Sequence, residues 1–182
     1  GGGAVRKWNN ILARVIIVLF LLHALMGSLM LLGLSTISFL PLSMLLLIAV
    51  LIHGILGIMA TLSAVADGKE TGHWYLKQNA AFWTKRISGI AIMLLLVFHV
   101  TAYTTSVNGR FFLKKFTLCQ MLSQILFILA IFIHLAVSIK SMLIARGTIK
   151  FKEKTIDWML VLSIMMLFFT AAVIIYYIQW QM

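Results

Sequence analysis

Acidic residues are almost absent from this chain: four among 182 (Asp67, Glu70, Glu153 and Asp157), against fifteen Lys and Arg. Charged residues of both signs make up 10% of it. A soluble domain carries about 25%, because its surface must face water, so a soluble fold of this size is excluded. The single cysteine, Cys119, can form no internal disulfide, and its setting near a helix start does not suggest a metal site. The single proline, Pro41, stands where an apolar run opens, a position in a first helical turn that tolerates its missing N–H. Also missing are a nucleotide or flavin glycine fingerprint, a cysteine cluster and a nucleophile arrangement. Redox chemistry carried by such a chain would therefore belong to bound cofactors.

What is present is apolar: 63% of the residues are hydrophobic and the mean hydropathy is +1.09. These residues fall in runs of about twenty, the length that crosses roughly 30 Å of hydrocarbon at about 1.5 Å per residue. Five such runs are read, at 11–34, 40–66, 86–105, 118–145 and 156–180. None alternates like a strand, and helices satisfy their own backbone in lipid. The expected fold is an all-α integral membrane protein, one membrane domain over 1–182, with a four-helix bundle and one peripheral helix. No small-x-small site follows the first run, so a span is expected there rather than a cleaved signal peptide, and Gly1-Gly2-Gly3 is given no functional weight.

The net charge of +11 resembles a nucleic-acid signal, but its carriers sit between the apolar runs and form no face of a folded domain. No nucleic-acid partner is expected. Arg6, Lys7, Arg14, Lys69, Lys77, Lys85, Arg86, Lys140, Arg146, Lys150, Lys152 and Lys154 fall on one side, and only Arg110, Lys114 and Lys115 on the other. Cytoplasmic loops are rich in Lys and Arg. The expected topology is multi-pass in the inner (cytoplasmic) membrane, N-terminus in the cytoplasm and C-terminus outside, with Tyr176, Tyr177 and Trp180 as an interfacial belt. Membrane lipid is thus one partner. Lys150 to Lys154 could also dock an acidic partner by long-range attraction, although topology alone accounts for them equally well.

Four of the five histidines, His23, His53, His99 and His134, are distributed one each over the first four spans; His73 lies in a cytoplasmic loop. An ionisable group in hydrocarbon is costly and normally faces the bundle interior for a functional reason. One such histidine is as often a structural hydrogen bond as a ligand. Four, one per helix, point to axial ligation of two b-type haems in a bundle core. Depth, counted from flanking charges and turns, pairs His23 with His99 on an outer haem and His53 with His134 on an inner one. A weak repeat accompanies this: Ile52-His53-Gly54-Ile55 and Ile133-His134-Leu135-Ala136 both descend toward a basic end.

Gly27, Gly54, Gly57 and Gly89 would let a porphyrin approach the backbone, or simply let helices pack closely. Lys85 and Arg86, at the start of the third span, could pair with haem propionates, although basic residues there also orient the helix. Arg14 lies inside a helix and calls for an anionic partner or a snorkelling route. Trp74, Tyr75 and Trp83 read as interface anchors or as walls of a cytoplasmic pocket.

The run Phe82-Trp83-Thr84-Lys85-Arg86-Ile87-Ser88-Gly89, with His99 ten residues beyond it, resembles the cytochrome b membrane anchors of succinate dehydrogenases and fumarate reductases, in their single-chain di-haem form. In that family an Arg-x-Ser/Thr-Gly-like start precedes a helix bearing a haem histidine. The resemblance implies a subunit without dicarboxylate chemistry of its own, docking a flavoprotein and an iron–sulfur subunit on the cytoplasmic side. It would pass electrons between them and a quinone, expected to be menaquinone, in a complex that could dimerise. By position it implies a quinone or propionate site at Arg86 and Ser88. The chain departs from the family's mono-haem members in carrying Lys85 where they often have histidine. It also holds its histidines in four consecutive spans, where some di-haem relatives skip a middle helix. With the only acids on the cytoplasmic side, quinone protons are expected to exchange there, through Asp67, Glu70 and Asp157 or through propionates.

Two other classes fit parts of the pattern. A quinone-reactive cytochrome b of another oxidoreductase keeps the haems and changes the donor. A proton-coupled transporter or scaffold subunit would use the histidines as a relay. The transporter reading lacks paired Gly/Pro-broken helices in two matching halves.

Overall fold

The computed structural model describes residues 2–37, 40–71, 79–107, 110–150 and 156–181. Five helices dominate: α1 (Gly2–Leu31), α2 (Leu40–Thr71), α3 (Ala80–Ala102), α4 (Leu118–Ala145) and α5 (Ile156–Gln179). All five are long and apolar enough to cross a membrane, and the chain is an all-α, multi-pass membrane protein. His73, Trp74, Tyr75, Lys77, Lys152, Glu153 and Lys154 lie outside the described residues, as do the side chains of Arg6, Asp67 and Arg110.

The helix bounds differ from the apolar runs where polar residues continue a helix beyond hydrocarbon. α1 starts nine residues before Ile11, and α2 carries its polar tail on to Thr71. α3 is displaced most. It begins at Ala80 rather than Arg86 and stops at Ala102 rather than Thr105. Lys85 and Arg86 therefore lie inside the helix, and His99 lies in its last turn instead of near its middle. The α3–α4 connection holds a short hairpin, β1 (Thr104–Val107) antiparallel to β2 (Arg110–Leu113).

Local signals explain the ends. Gly33 (φ +71°) and Gly147 (φ +72°) each follow a helix in the left-handed region, where a Cβ would be strained. Around them Leu34 N–H bonds to Leu29 C=O at 2.9 Å and Thr148 N–H to Leu143 C=O at 3.1 Å. These six-to-one bonds close Schellman motifs and satisfy carbonyls that the helix leaves over. α4 opens on a capping box: Thr117 Oγ1 accepts from Gln120 N–H at 3.2 Å, and Gln120 Oε1 accepts from Thr117 N–H at 2.8 Å.

The chain forms two compact units, 1–86 and 87–182. In the first, α1 packs against α2 as an antiparallel hairpin over a thin core of Ser28, Leu31, Leu46 and Ala49. In the second, α4 packs against α5 over Phe127, Ala130, Leu162, Met166, Phe169, Ala172 and Val173. Tyr176 of α5 donates to the Lys114 carbonyl at 2.6 Å and Gln181 Nε2 to the Phe116 carbonyl at 3.3 Å, fixing the end of α5 to the segment that leads into α4. Phe116, 1% exposed, is buried beneath this junction.

Candidate haem-ligating histidines

Each unit carries two of the four span histidines, and each of these four reaches a polar group on the neighbouring helix. His23 on α1 shares a hydrogen bond through Nδ1 with Ser43 Oγ on α2 at 3.2 Å. His53 on α2 reaches back to the backbone of Asn9 on α1. In the second unit, His99 Nδ1 on α3 meets Gln124 Oε1 on α4 at 3.0 Å, and His134 Nδ1 on α4 meets Ser88 Oγ on α3 at 3.1 Å. The scheme is the same twice over: the first helix of a pair carries a histidine anchored on the second, and the second carries one anchored on the first.

Spacing reinforces the parallel. Ser43 and His53 are ten residues apart on α2, as Gln124 and His134 are on α4. At about 1.5 Å of rise per residue, that separates the two histidine levels of each unit by about 15 Å. Three of the four rings are held through Nδ1. A metal-binding imidazole is usually held this way, its second nitrogen bonded to a carbonyl or hydroxyl that fixes tautomer and ring angle. Among the described residues no three His, Cys, Asp or Glu side chains converge.

The surroundings suit a flat apolar ligand. Gly27 lies one turn beyond His23 on the same helix, and a Cβ built there meets nothing within 4 Å; both residues line a cleft with Met26, Met30, Leu42 and Ser43. Gly57 holds the same place one turn beyond His53, and a Cβ there would stand 3.3 Å from Arg86 Nη1. A Cβ at Gly89 would stand 3.5 Å from His134 Cε1. His99 instead sits among rings, with Phe127 at 4.9 Å and Tyr103 at 5.1 Å between centroids. Burial, and then the neighbouring Tyr176, push the Tyr103 phenol well above its ordinary range. The donor set, four imidazoles with apolar and glycine-lined flanks, fits haem.

Four further residues were candidates for cofactor contact, and the structure distributes them differently. Arg86 lies against α2 at Gly57, stacks over the Phe82 ring at 4.8 Å and is close enough to act electrostatically on His53. It brings a fixed positive charge within a turn of that histidine. Lys85 is half-buried beside it. Ser88, 6% exposed, bonds to His134 and so supports a ligand candidate. Arg14 is exposed on α1, pointing away from the hairpin interior, as a snorkelling side chain would.

Sequence reading missed Ser43 and Gln124. Both are polar groups inside apolar runs, which lipid would tolerate only with a partner, and that cost is the signal that could have found them. Comparison with family models, with curated proteins and with solved structures finds no match for this chain.

Proposed function

We propose that the chain is a di-haem cytochrome b, the membrane anchor of a succinate dehydrogenase or fumarate reductase-type complex. In this reading it stands between a cytoplasmic flavin and iron–sulfur module and a membrane quinone. The observation that carries the haem assignment is the repeated anchoring of His23, His99 and His134 through Nδ1, at two levels about 15 Å apart in each unit. Bound haem would supply one-electron carriage across the layer.

His23 and His99 would hold the outer haem and His53 and His134 the inner one. This pairing rests on the depth of each histidine counted along the sequence from flanking charges and turns. Ser43, Ser88 and Gln124 would orient the rings. Arg86, with Lys85 beside it, would meet the propionates of the inner haem, with its guanidinium presenting paired donors to a carboxylate. Phe82 and Gly57 hold that guanidinium in place.

The flavoprotein and iron–sulfur partners, the quinone and the cytoplasmic N-terminus rest on the Phe82–Gly89 resemblance and on the charge asymmetry of the loops. The test is a dithionite-reduced minus oxidised spectrum, with haem quantified per chain, on the wild type and four single His→Ala variants. Two b-type haems in the wild type, with one lost in each variant, is the expected result. One haem would return two histidines to structural roles. None would sink the reading and bring the transporter or scaffold class forward.

A further inference from the structure

Gln124 is 1% exposed and is the most deeply buried polar side chain among the described residues. Its two amide ends face different chemistry. Nε2 lies 3.1 Å from Ser123 Oγ and, at the long limit of a hydrogen bond, 3.5 Å from the Phe98 carbonyl. The Ser123 hydroxyl already donates to the Gln120 carbonyl at 2.7 Å, so its oxygen is left as an acceptor. Both groups facing the amide nitrogen therefore accept, and the nitrogen, which only donates, belongs there. That fixes Oε1 toward His99 Nδ1 at 3.0 Å. An amide oxygen only accepts, so the hydrogen bond requires a proton on Nδ1.

The direction of this chain is set at the start of α4. Gln120 is the third residue of the helix and closes its capping box with Thr117, which holds the first turn and the Gln120 carbonyl in place. From there the donors run one way: Ser123 to Gln120, Gln124 to Ser123, His99 to Gln124. His23 and His134 differ, because the hydroxyls of Ser43 and Ser88 can donate or accept and leave the tautomer open.

We propose that Gln124 is a positioning residue that locks His99 in the Nδ1–H tautomer, placing the ring's lone pair on Nε2 as the iron-binding atom and setting the basicity of that ligand. The tautomer stands on hydrogen-bond geometry alone; its consequence for iron rests on the di-haem reading. Converting the acceptor to a carboxylate makes the imidazole more anionic and favours the ferric state. Removing the acceptor does the reverse.

Two measurements test this. In the first, 15N chemical shifts of the histidine rings are read on the purified chain in detergent without added haem, with His99→Asn used for assignment. A protonated Nδ1 at His99 is expected, and an Nε2–H tautomer overturns the proposal. In the second, the haem-loaded wild type, Gln124→Glu and Gln124→Leu are titrated potentiometrically. One of two haem potentials should fall in Gln124→Glu and rise in Gln124→Leu, with the other haem unmoved. A merely structural role would shift both variants in the same direction or leave both unchanged, and either outcome overturns the proposal. Absence of haem from the wild type would sink the di-haem reading while the ring shifts still decide the tautomer.

Discussion

The two histidine-bearing units repeat one plan with different surroundings for the rings. In the first, a serine hydroxyl and a backbone group hold the two rings, and the cleft beside His23 stays open at Gly27. In the second, His99 is clamped by an amide with a fixed direction and enclosed by Phe127 and Tyr103. The ring contacts continue through Phe116 to Tyr176 at 5.1 and 4.9 Å. The difference follows from what each hairpin packs on. α1 and α2 have only a thin core between them, whereas α4 has α5 behind it and the Lys114–Phe116 segment tied over its end. In the proposed pairing each haem would take one ligand from each unit, so the contrast would separate the two ligands of one haem more than the two haems.

Breaking the plan at its centre should give the largest effect. The double variant His23→Ala/His99→Ala should lose one haem per chain, and His23→Ala/His53→Ala should lose both, as measured by pyridine haemochrome content. If His23→Ala/His53→Ala loses only one haem, the two units do not each contribute one ligand per haem.

Next comes the packing contrast. Phe116→Ala empties a fully buried site outside the spans and should cost about 3–5 kcal/mol, in the range for buried aromatics. Thermal unfolding in detergent should fall accordingly, and the haem assigned to His99 should be released before the other. Loss of both haems together would show that the Phe116 packing does not act through His99 in particular.

A smaller effect is expected at Arg86. Removing one positive charge about 10 Å from a redox centre, at an effective dielectric of about 20, is worth roughly 1–2 kcal/mol. Arg86→Gln should lower the potential of the inner haem, because the ferric state loses a repelling neighbour. Gly57→Leu, which pushes a side chain into the place of the guanidinium, should lower it in the same sense. Unchanged potentials in both variants would remove Arg86 from the cofactor's surroundings.

The serine anchors should matter least, at about 1 kcal/mol per lost hydrogen bond. Ser43→Ala, in the open unit, should broaden the low-temperature spin-resonance signal of the outer haem by freeing ring orientations. Ser88→Ala should do less at His134, because Gly89 and the packing of the second unit still confine that ring. Equal broadening would mean that the hydroxyls, and not the packing, set the angles.

Much of this was legible in the residues, and the limits are instructive. α4 was placed to its final residues, because its ends coincide with Thr117 and Gly147, local signals that need no partner. α3 was misplaced by six residues at its start, since Ala80 to Lys85 continue a helix that hydropathy alone would end at the charges. Ser88 was read as a contact for quinone or propionate, and its burial against His134 shows that it faces another helix. Arg14 was read as needing an anion or a route to water, and it is exposed on α1.

The sequence by itself determined that the chain crosses a membrane five times on helices and that four of those helices carry one histidine each. The physical reason is that lipid offers no hydrogen bonds, so span length, backbone form and the rarity of ionisable groups are imposed residue by residue. Tertiary structure alone decided which polar group meets which ring. Ser43, Gln124 and Ser88 are 20, 25 and 46 residues from their histidines along the chain. Their meeting depends on the axial register and rotation of two antiparallel helices. A shift of one residue turns a side chain by about 100° around a helix of 3.6 residues per turn, and only the packing of side chains between the helices selects the register that brings donor to acceptor.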